Sequence, residues 1–440
     1  RLDSLLDREL GSLLSWDERE ITYNFFTDNI SRMFDSQAME QWVEDFVHQQ
    51  VYAALQQEKA LVDLLPRSIR ELLLALAEDV DEATFRTQYH SDLSPLGWHL
   101  GHCVYTDCLW LHETIRGDDS VTAAIADFYT PPNTPKSERG RLLPPQTALL
   151  TWARELQHFN LHYLRNLPAG CRRHPLLEDD YILHFLIQHN SQHYETMLMV
   201  LTQKALAGEQ HLDPPTAPLQ AAALRRDSAS MAAGHYRVGG KHPTARDNEM
   251  PAQRAELGAF DISRYPVSNA EYLGFIEDDG YRRDALWDAA GWSWREQQQI
   301  QHPDHWRLSR THGWYATGMR GAYPLAADQP VFGINHYEAR AFARWAKARL
   351  PHEYQWEVAC RLAALEQTGR VWEWCDNTFH PYQGFQPFPY PEYSQPWFDG
   401  QHFSLRGGSL HTRPSVKRAS FRNFFQADKR HVFAGLRLVF

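Results

Sequence analysis

"EDDYILHFLIQHNSQHYETMLMVLTQKAL", residues 178–206, reads as one long helix: acids open it, apolar residues recur at three- and four-residue spacing, and the pattern stops before Gly208. Inside it, "QHNSQHYETM" (188–197) holds two histidines four apart. Residues i and i+4 of a helix lie about 40° apart around its axis, so His189 and His193 share a face and can chelate one ion. His184 is turned about 140° from His189 and points elsewhere. Glu195 lies about 200° round from His193, so we expect it to support the site through a hydrogen bond or ion pair rather than as a ligand. The pair alone also suits two partly buried histidines with local hydrogen bonds.

Working outward, "SIRELLLALAED" (68–79), "SPLGWHLGHCVYTDCLWLHETI" (94–115) and "QTALLTWARELQHFNLHYLRNL" (146–167) share helical spacing. Ser94 is the expected N-cap of the second, with Pro95 at its first position. Several long helices joined by loops predict an antiparallel bundle over 61–210, preceded by a helical extension over 1–60 to which the sequence gives no role. "WHLGHC" offers His99 and His102, either of which could face the histidine pair across the bundle. Three imidazoles on one ion leave positions open for substrate, as catalysis requires, and they suit zinc, iron, copper or nickel.

The texture changes at "AGEQHLDPPTAP" (207–218), which opens a linker over 211–230. Residues 231–440 alternate short segments with Gly, Pro and Asn turns and hold one clear helix, "YEARAFARWAKA", begun by an Asn335/Glu338 capping pair. The fold class is therefore α+β. Trp372 and Trp374 of "VWEWC" are expected to pack the core, Gly407 and Gly408 of "LRGGS" to make a tight turn, and "RDNE" (246–249) to form a structural loop.

A net charge of −11 argues against a nucleic-acid binder, and no apolar run approaches the length needed to cross a membrane. The five cysteines include no CxxC, which disfavours a disulfide framework or zinc ribbon. The first residues lack a secretory signal pattern, and we expect a cytoplasmic protein.

Taken together and in order, "SPLGWHLGH", "QHNSQHYETML", "GRVWEWC", "PYPEYSQPWFDG", "LRGGS" and "RASFRNFF…RHVFAGLRL" resemble the hercynine sulfoxide synthases of ergothioneine biosynthesis over roughly residues 60–440. The closely related selenoneine synthases share this architecture. The resemblance implies an N-terminal DinB-like helical bundle followed by a C-type-lectin-related, formylglycine-generating-enzyme-like domain. It implies Fe(II) on His102, His189 and His193, with His99 outside the ligand set and O2 as co-substrate. Gln192 would contact the imidazole substrate, hercynine. Tyr390 would be the catalytic tyrosine with Tyr393 beside it, and Asn423 and Phe424 would hold hercynine's betaine end.

The chain departs from the resemblance where the sulfur donor binds. Relatives that use γ-glutamylcysteine carry an acid where this chain has Phe425, and an RxxR pair where it has Lys136 and Arg139 in "TPKSERG". Lysine lacks the fork that clamps carboxylates. We therefore expect the donor to be cysteine, or a selenosugar if the chain is a selenoneine synthase. Two other classes compete: a DinB-type metal-dependent thiol S-transferase without oxygen chemistry, and a non-enzymatic binding module. A formylglycine-generating enzyme is disfavoured, because "RGGSLHTRPSVKRASFRN" (406–423) holds no cysteine.

Overall fold

The computed structural model of the chain describes residues 61–168, 170–208 and 218–440. The expected extension over 1–60 lies outside the described residues, as does part of the expected linker. The elements that form the site belong to one compact unit, residues 73–440.

Helices come first: α1 (Leu61–Glu78), α2 (Glu82–Arg86), α3 (Leu96–Cys108, continued by a π-helical turn, Leu109–Thr114), α4 (Ala126–Tyr129), α5 (Lys136–Leu142), α6 (Gln146–Arg165) and α7 (Tyr181–Ala207). α3 packs on both α6 and α7. Its glycines permit this closeness: a Cβ on Gly97 would sit 2.3 Å from the Phe85 ring, and one on Gly101 2.3 Å from the Tyr129 ring. The N-cap of α3 is Pro95, one residue later than expected. The hydroxyl of Ser94 instead accepts from the Arg139 guanidinium, so a tertiary contact displaces the local cap.

Among the described residues, strands begin at Ser228. The main sheet contains β8 (Trp372–Thr378), β9 (His402–Arg406), β10 (Asn423–Gln426) and β11 (Ala434–Gly435) in the order β10-β9-β8-β11; only the β11–β8 pairing is parallel. There are three smaller sheets among the described residues: β1 (Ser228–Met231) with β4 (Phe260–Ser263), β2 (Gly234–Val238) with β3 (Gln253–Leu257), and β5 (Trp306–Ser309), β6 (Gly313–Gly318) and β7 (Gly321–Pro324) together. α8 (Asn269–Glu277), α9 (Ala289–Gln298), α10 (His336–Trp345) and α11 (Glu353–Arg361) complete it. The capping pair of α10 forms as expected: Glu338 N donates to Asn335 Oδ1 and Asn335 N to Glu338 Oε2, both at 2.9 Å. Trp372 and Trp374 are buried in the core, and Gly407 and Gly408 take φ of 96° and 82°, the left-handed turn that glycine favours.

Loops here are pinned by buried ion pairs. Glu353 accepts from Arg422 Nη2 at 2.7 Å and from Arg406 Nη2 at 2.8 Å, and Arg437 Nε pairs with Glu373 at 2.7 Å. The two guanidiniums hold the Glu353 carboxyl far below the usual carboxylate range, against the opposing effect of burial.

Two histidines are sealed in this core. The rings of His305 and His336 stack on Phe332 and Phe403, each at 3.8 Å, and burial pushes both down to about 3 from 6.5. Asp304 and Arg430 act on His305 in opposite directions, while Arg340 lowers His336 further. With folded values depressed, the unfolded chain binds protons first as pH falls below 6.5. Stability is therefore full above that value and lost progressively toward pH 3, by about 1.4 kcal/mol per histidine per pH unit. Urea unfolding at pH 7.5 and pH 5 should show the drop; equal unfolding free energies would show that these rings are not sealed.

Candidate metal centre

α7 carries the site because its two stripes face two different neighbours. Gln188, Ser191 and Glu195 meet the β-rich region: Gln188 Nε2 donates to Thr244 O at 2.8 Å, and the Ser191 and Ser415 hydroxyls lie 3.2 Å apart. Glu195 is buried and accepts from Trp372 Nε1 (2.9 Å), Ser409 Oγ (2.5 Å) and Thr412 Oγ1 (2.6 Å). It is a hydrogen-bonded staple between α7 and the "VWEWC" and "LRGGS" segments, and burial raises its pKa. His189 and His193 lie on the stripe turned toward α3, which supplies His102.

One ligand nitrogen from each of His102, His189 and His193 lies within 4.8 Å of the other two. Ring centroids are 4.5 Å (His189–His193), 4.7 Å (His102–His193) and 5.2 Å (His102–His189) apart. Every Nδ1 already has a neighbour. That of His102 donates to Tyr129 O at 2.7 Å. That of His189 is 3.3 Å from Asn190 Oδ1, and Asn190 in turn donates to Asp107 at 3.2 Å. That of His193 is 3.0 Å from His99 Nδ1. Such outer hydrogen bonds fix tautomer and ring orientation, leaving the Nε2 lone pairs for an ion. Burial lowers the pKa of His102 to about 4 and those of His189 and His193 well below the usual value, so all three are neutral donors at pH 7. The set fits a first-row divalent ion.

A second group, His90, Asp92 and His431, is also close enough to hold an ion. The Lys429 ammonium lies 3.0 Å from the Asp92 carboxylate, and Lys136 Nζ donates to Asp92 O at 2.6 Å; both oppose a cation there.

The other expected site residues fall as follows. Tyr393 OH donates to Gln192 Oε1 at 3.3 Å, one residue before His193. Tyr390 packs with Trp110 (5.4 Å) and against Phe185 (6.0 Å), whose ring runs parallel to His189 at 6.4 Å. The phenol is thus one ring removed from the triad, and burial holds its pKa well above the usual tyrosine range. Phe424 stacks on Phe379 at 4.2 Å beside Trp397, with Asn423 preceding it on β10. Phe425 meets the His431 ring edge-on at 6.1 Å. Arg139 is buried, its guanidinium 3.8 Å from the Trp98 ring and bonded to Ser94 Oγ, Thr134 O and Pro131 O. Trp98 in turn stacks on His102 at 4.8 Å. Arg139 therefore buttresses the triad, and both it and Lys136 are engaged within the protein.

Arg246, which the sequence places in a structural loop, also reaches this region. Its guanidinium lies between the Phe185 and Tyr393 rings, at 4.3 and 4.6 Å, and donates to Gln192 Oε1 at 3.3 Å. Nothing local in "RDNE" marks it, because its surroundings come from residues far away in the chain.

The DinB superfamily model matches residues 67–197, and the sulfatase-modifying factor enzyme 1-like domain matches 216–368 and 363–440. A hercynine oxygenase of Mycolicibacterium thermoresistibile is 31% identical over 441 residues, covering 86% of this chain and 93% of the relative. The chain belongs to the hercynine oxygenase family. The Mycobacterium tuberculosis hercynine oxygenase is 30% identical, covering 82% of this chain and 94% of its own. Ergothioneine biosynthesis protein 1 of Schizosaccharomyces pombe is 27% identical over 232 residues, 44% of this chain and 27% of that protein. In this member of the hercynine oxygenase family the DinB part supplies all three histidines, while both tyrosines come from the part that follows. Among the described residues no helix is long and apolar enough to cross a membrane.

Proposed function

We propose that this chain is a non-heme Fe(II), O2-dependent enzyme of ergothioneine-type biosynthesis that joins the sulfur of a thiol donor to the imidazole C2 of hercynine and oxidises that sulfur. The observation that carries the reading is the triad of neutral imidazoles, each oriented through its Nδ1, in a chain related to hercynine oxygenases along most of its length. The reaction balances with one O2: one oxygen atom ends in the sulfoxide, and the other leaves as water with the thiol hydrogen and the C2 hydrogen.

Iron bound at the triad would supply oxygen activation and favour the deprotonated donor. Gln192 and Tyr393 orient the imidazole ring beside it. The aromatic faces of Phe424 and its neighbours suit a trimethylammonium group through cation–π attraction, with Asn423 at the same end. Tyr390, protonated at neutral pH, is the proton donor. Positioning both reactants replaces a many-body encounter with a prearranged one.

Donor choice follows from Phe425, Lys136 and Arg139. With an aromatic ring where an acid would pair with the γ-glutamyl ammonium, and with both basic side chains engaged internally, γ-glutamylcysteine should be the poorest donor. Cysteine is the favoured sulfur donor. A selenosugar, giving the C–Se bond of selenoneine, is the second reading, favoured by the same absence of an acid. Product mass spectrometry with hercynine, Fe(II), O2 and each donor is the test. A hercynine-derived sulfoxide or selenium adduct, with oxygen consumed, is expected. Thiol transfer without oxygen uptake would overturn the reading in favour of an S-transferase, and preference for γ-glutamylcysteine would overturn the Phe425 argument.

A further inference from the structure

We infer that Arg246 is the anion-recognition residue of this site and takes the carboxylate of a substrate, an assignment that rests on the reading above. The residue is 2% exposed. One nitrogen, Nη2, is shared between Phe185 O and Gln192 Oε1, each at 3.3 Å, while Nε and Nη1 are buried without a hydrogen-bond partner. Among the described residues no carboxylate pairs with this guanidinium. Its neighbour Asp247 is turned away: Oδ1 accepts from Ser394 Oγ (2.5 Å) and Asn248 N (2.7 Å), and Oδ2 from Phe388 N (3.5 Å). An unpaired buried guanidinium with idle donors is costly, and an incoming anion relieves that cost.

The place fits a substrate. Gln192 directly precedes His193, and the Phe185 ring beneath the guanidinium runs parallel to His189. Asn248, two residues on, donates to Ser394 Oγ at 2.9 Å, and Asn248 O accepts from Arg422 at 2.7 Å. The segments carrying Tyr393 and Asn423 therefore converge on the Arg246 loop. The flat faces of Phe185 and Tyr393 hold the guanidinium in place, so little side-chain freedom is lost when it pairs. An α-carboxylate can come from hercynine or from an amino-acid donor; the recognition chemistry is the same.

Anaerobic calorimetry on the iron-loaded enzyme reads affinity without turnover. Two pairs of probes differ only by the carboxylate: hercynine against trimethylhistamine, and cysteine against cysteamine. In the wild type the carboxylate-bearing member of one pair should bind at least about 30-fold tighter, and the pair that discriminates names the source. Arg246→Gln should bring that ratio to within a few-fold of one, and Arg246→Lys should keep part of it. If Arg246→Gln does not fold, a partial loss of the ratio in Arg246→Lys supports the assignment, and wild-type ratios near one overturn it without any variant. Ratios near one in both wild-type pairs, or discrimination persisting in Arg246→Gln, overturn the assignment while hercynine binding still supports the proposed function. Failure of the wild type to bind all four probes overturns both.

Discussion

Replacing His102, His189 or His193 by alanine, one at a time, is expected to lower iron affinity by more than 100-fold and reduce product formation to background. The scale follows from the outer contacts. Removing a group that merely orients a metal-bound histidine costs about 10–100-fold in metal affinity or activity, so removing the ligand itself must cost more. His99 supplies the contrast. Its Nδ1 lies 3.0 Å from that of His193, yet it is not one of the three converging nitrogens. His99→Ala should therefore weaken iron within that 10–100-fold range and leave the site filled at saturating iron. Metal content by mass spectrometry of the purified variants, with circular dichroism to confirm folding, separates the two classes. Full iron in all three ligand variants would remove the triad assignment.

The contrast between His99 and His102 also shows where sequence stops being sufficient. Helical period fixes which side chains share a face, so His189 with His193, and Glu195 away from them, are legible in the spacing alone. The Asn335/Glu338 capping box is equally local and forms as its residues imply. Both histidines of "WHLGHC" reach His193 on α7, and which of them joins the triad is set by packing: Gly97 and Gly101 bring α3 against Phe85 and Tyr129, and Trp98 stacks on His102. The resemblance supplied that choice where periodicity could not. The partners of Glu195 lie about two hundred residues downstream, and Arg246 gains its meaning only from Phe185, Gln192 and Tyr393. Arg139 is the reverse case. Its spacing from Lys136 suggests a ligand clamp, yet the guanidinium is engaged on Trp98 and three oxygens.

Tyr390→Phe is expected to keep iron and hercynine binding while lowering kcat for carbon–sulfur or carbon–selenium coupling by about 100-fold, the low end of what a positioned general acid contributes. The phenol suits that role. Burial raises its pKa, so the proton is present at neutral pH, and its hydroxyl makes no hydrogen bond to another described residue. The ring is held between Trp110 and Phe185, and loss of one oxygen leaves that packing intact. Tyr393→Phe should behave differently. The Tyr393 hydroxyl donates to Gln192 Oε1, so its loss should appear mainly as a rise of a few-fold in KM for hercynine. If proton delivery decides the outcome, oxygen consumed by Tyr390→Phe should be diverted into oxidation of the donor, seen as its sulfinic acid in the product mixture. A Tyr390→Phe enzyme with unchanged rate and products would show that the ring only packs, and would move the proton donor to another group at the site.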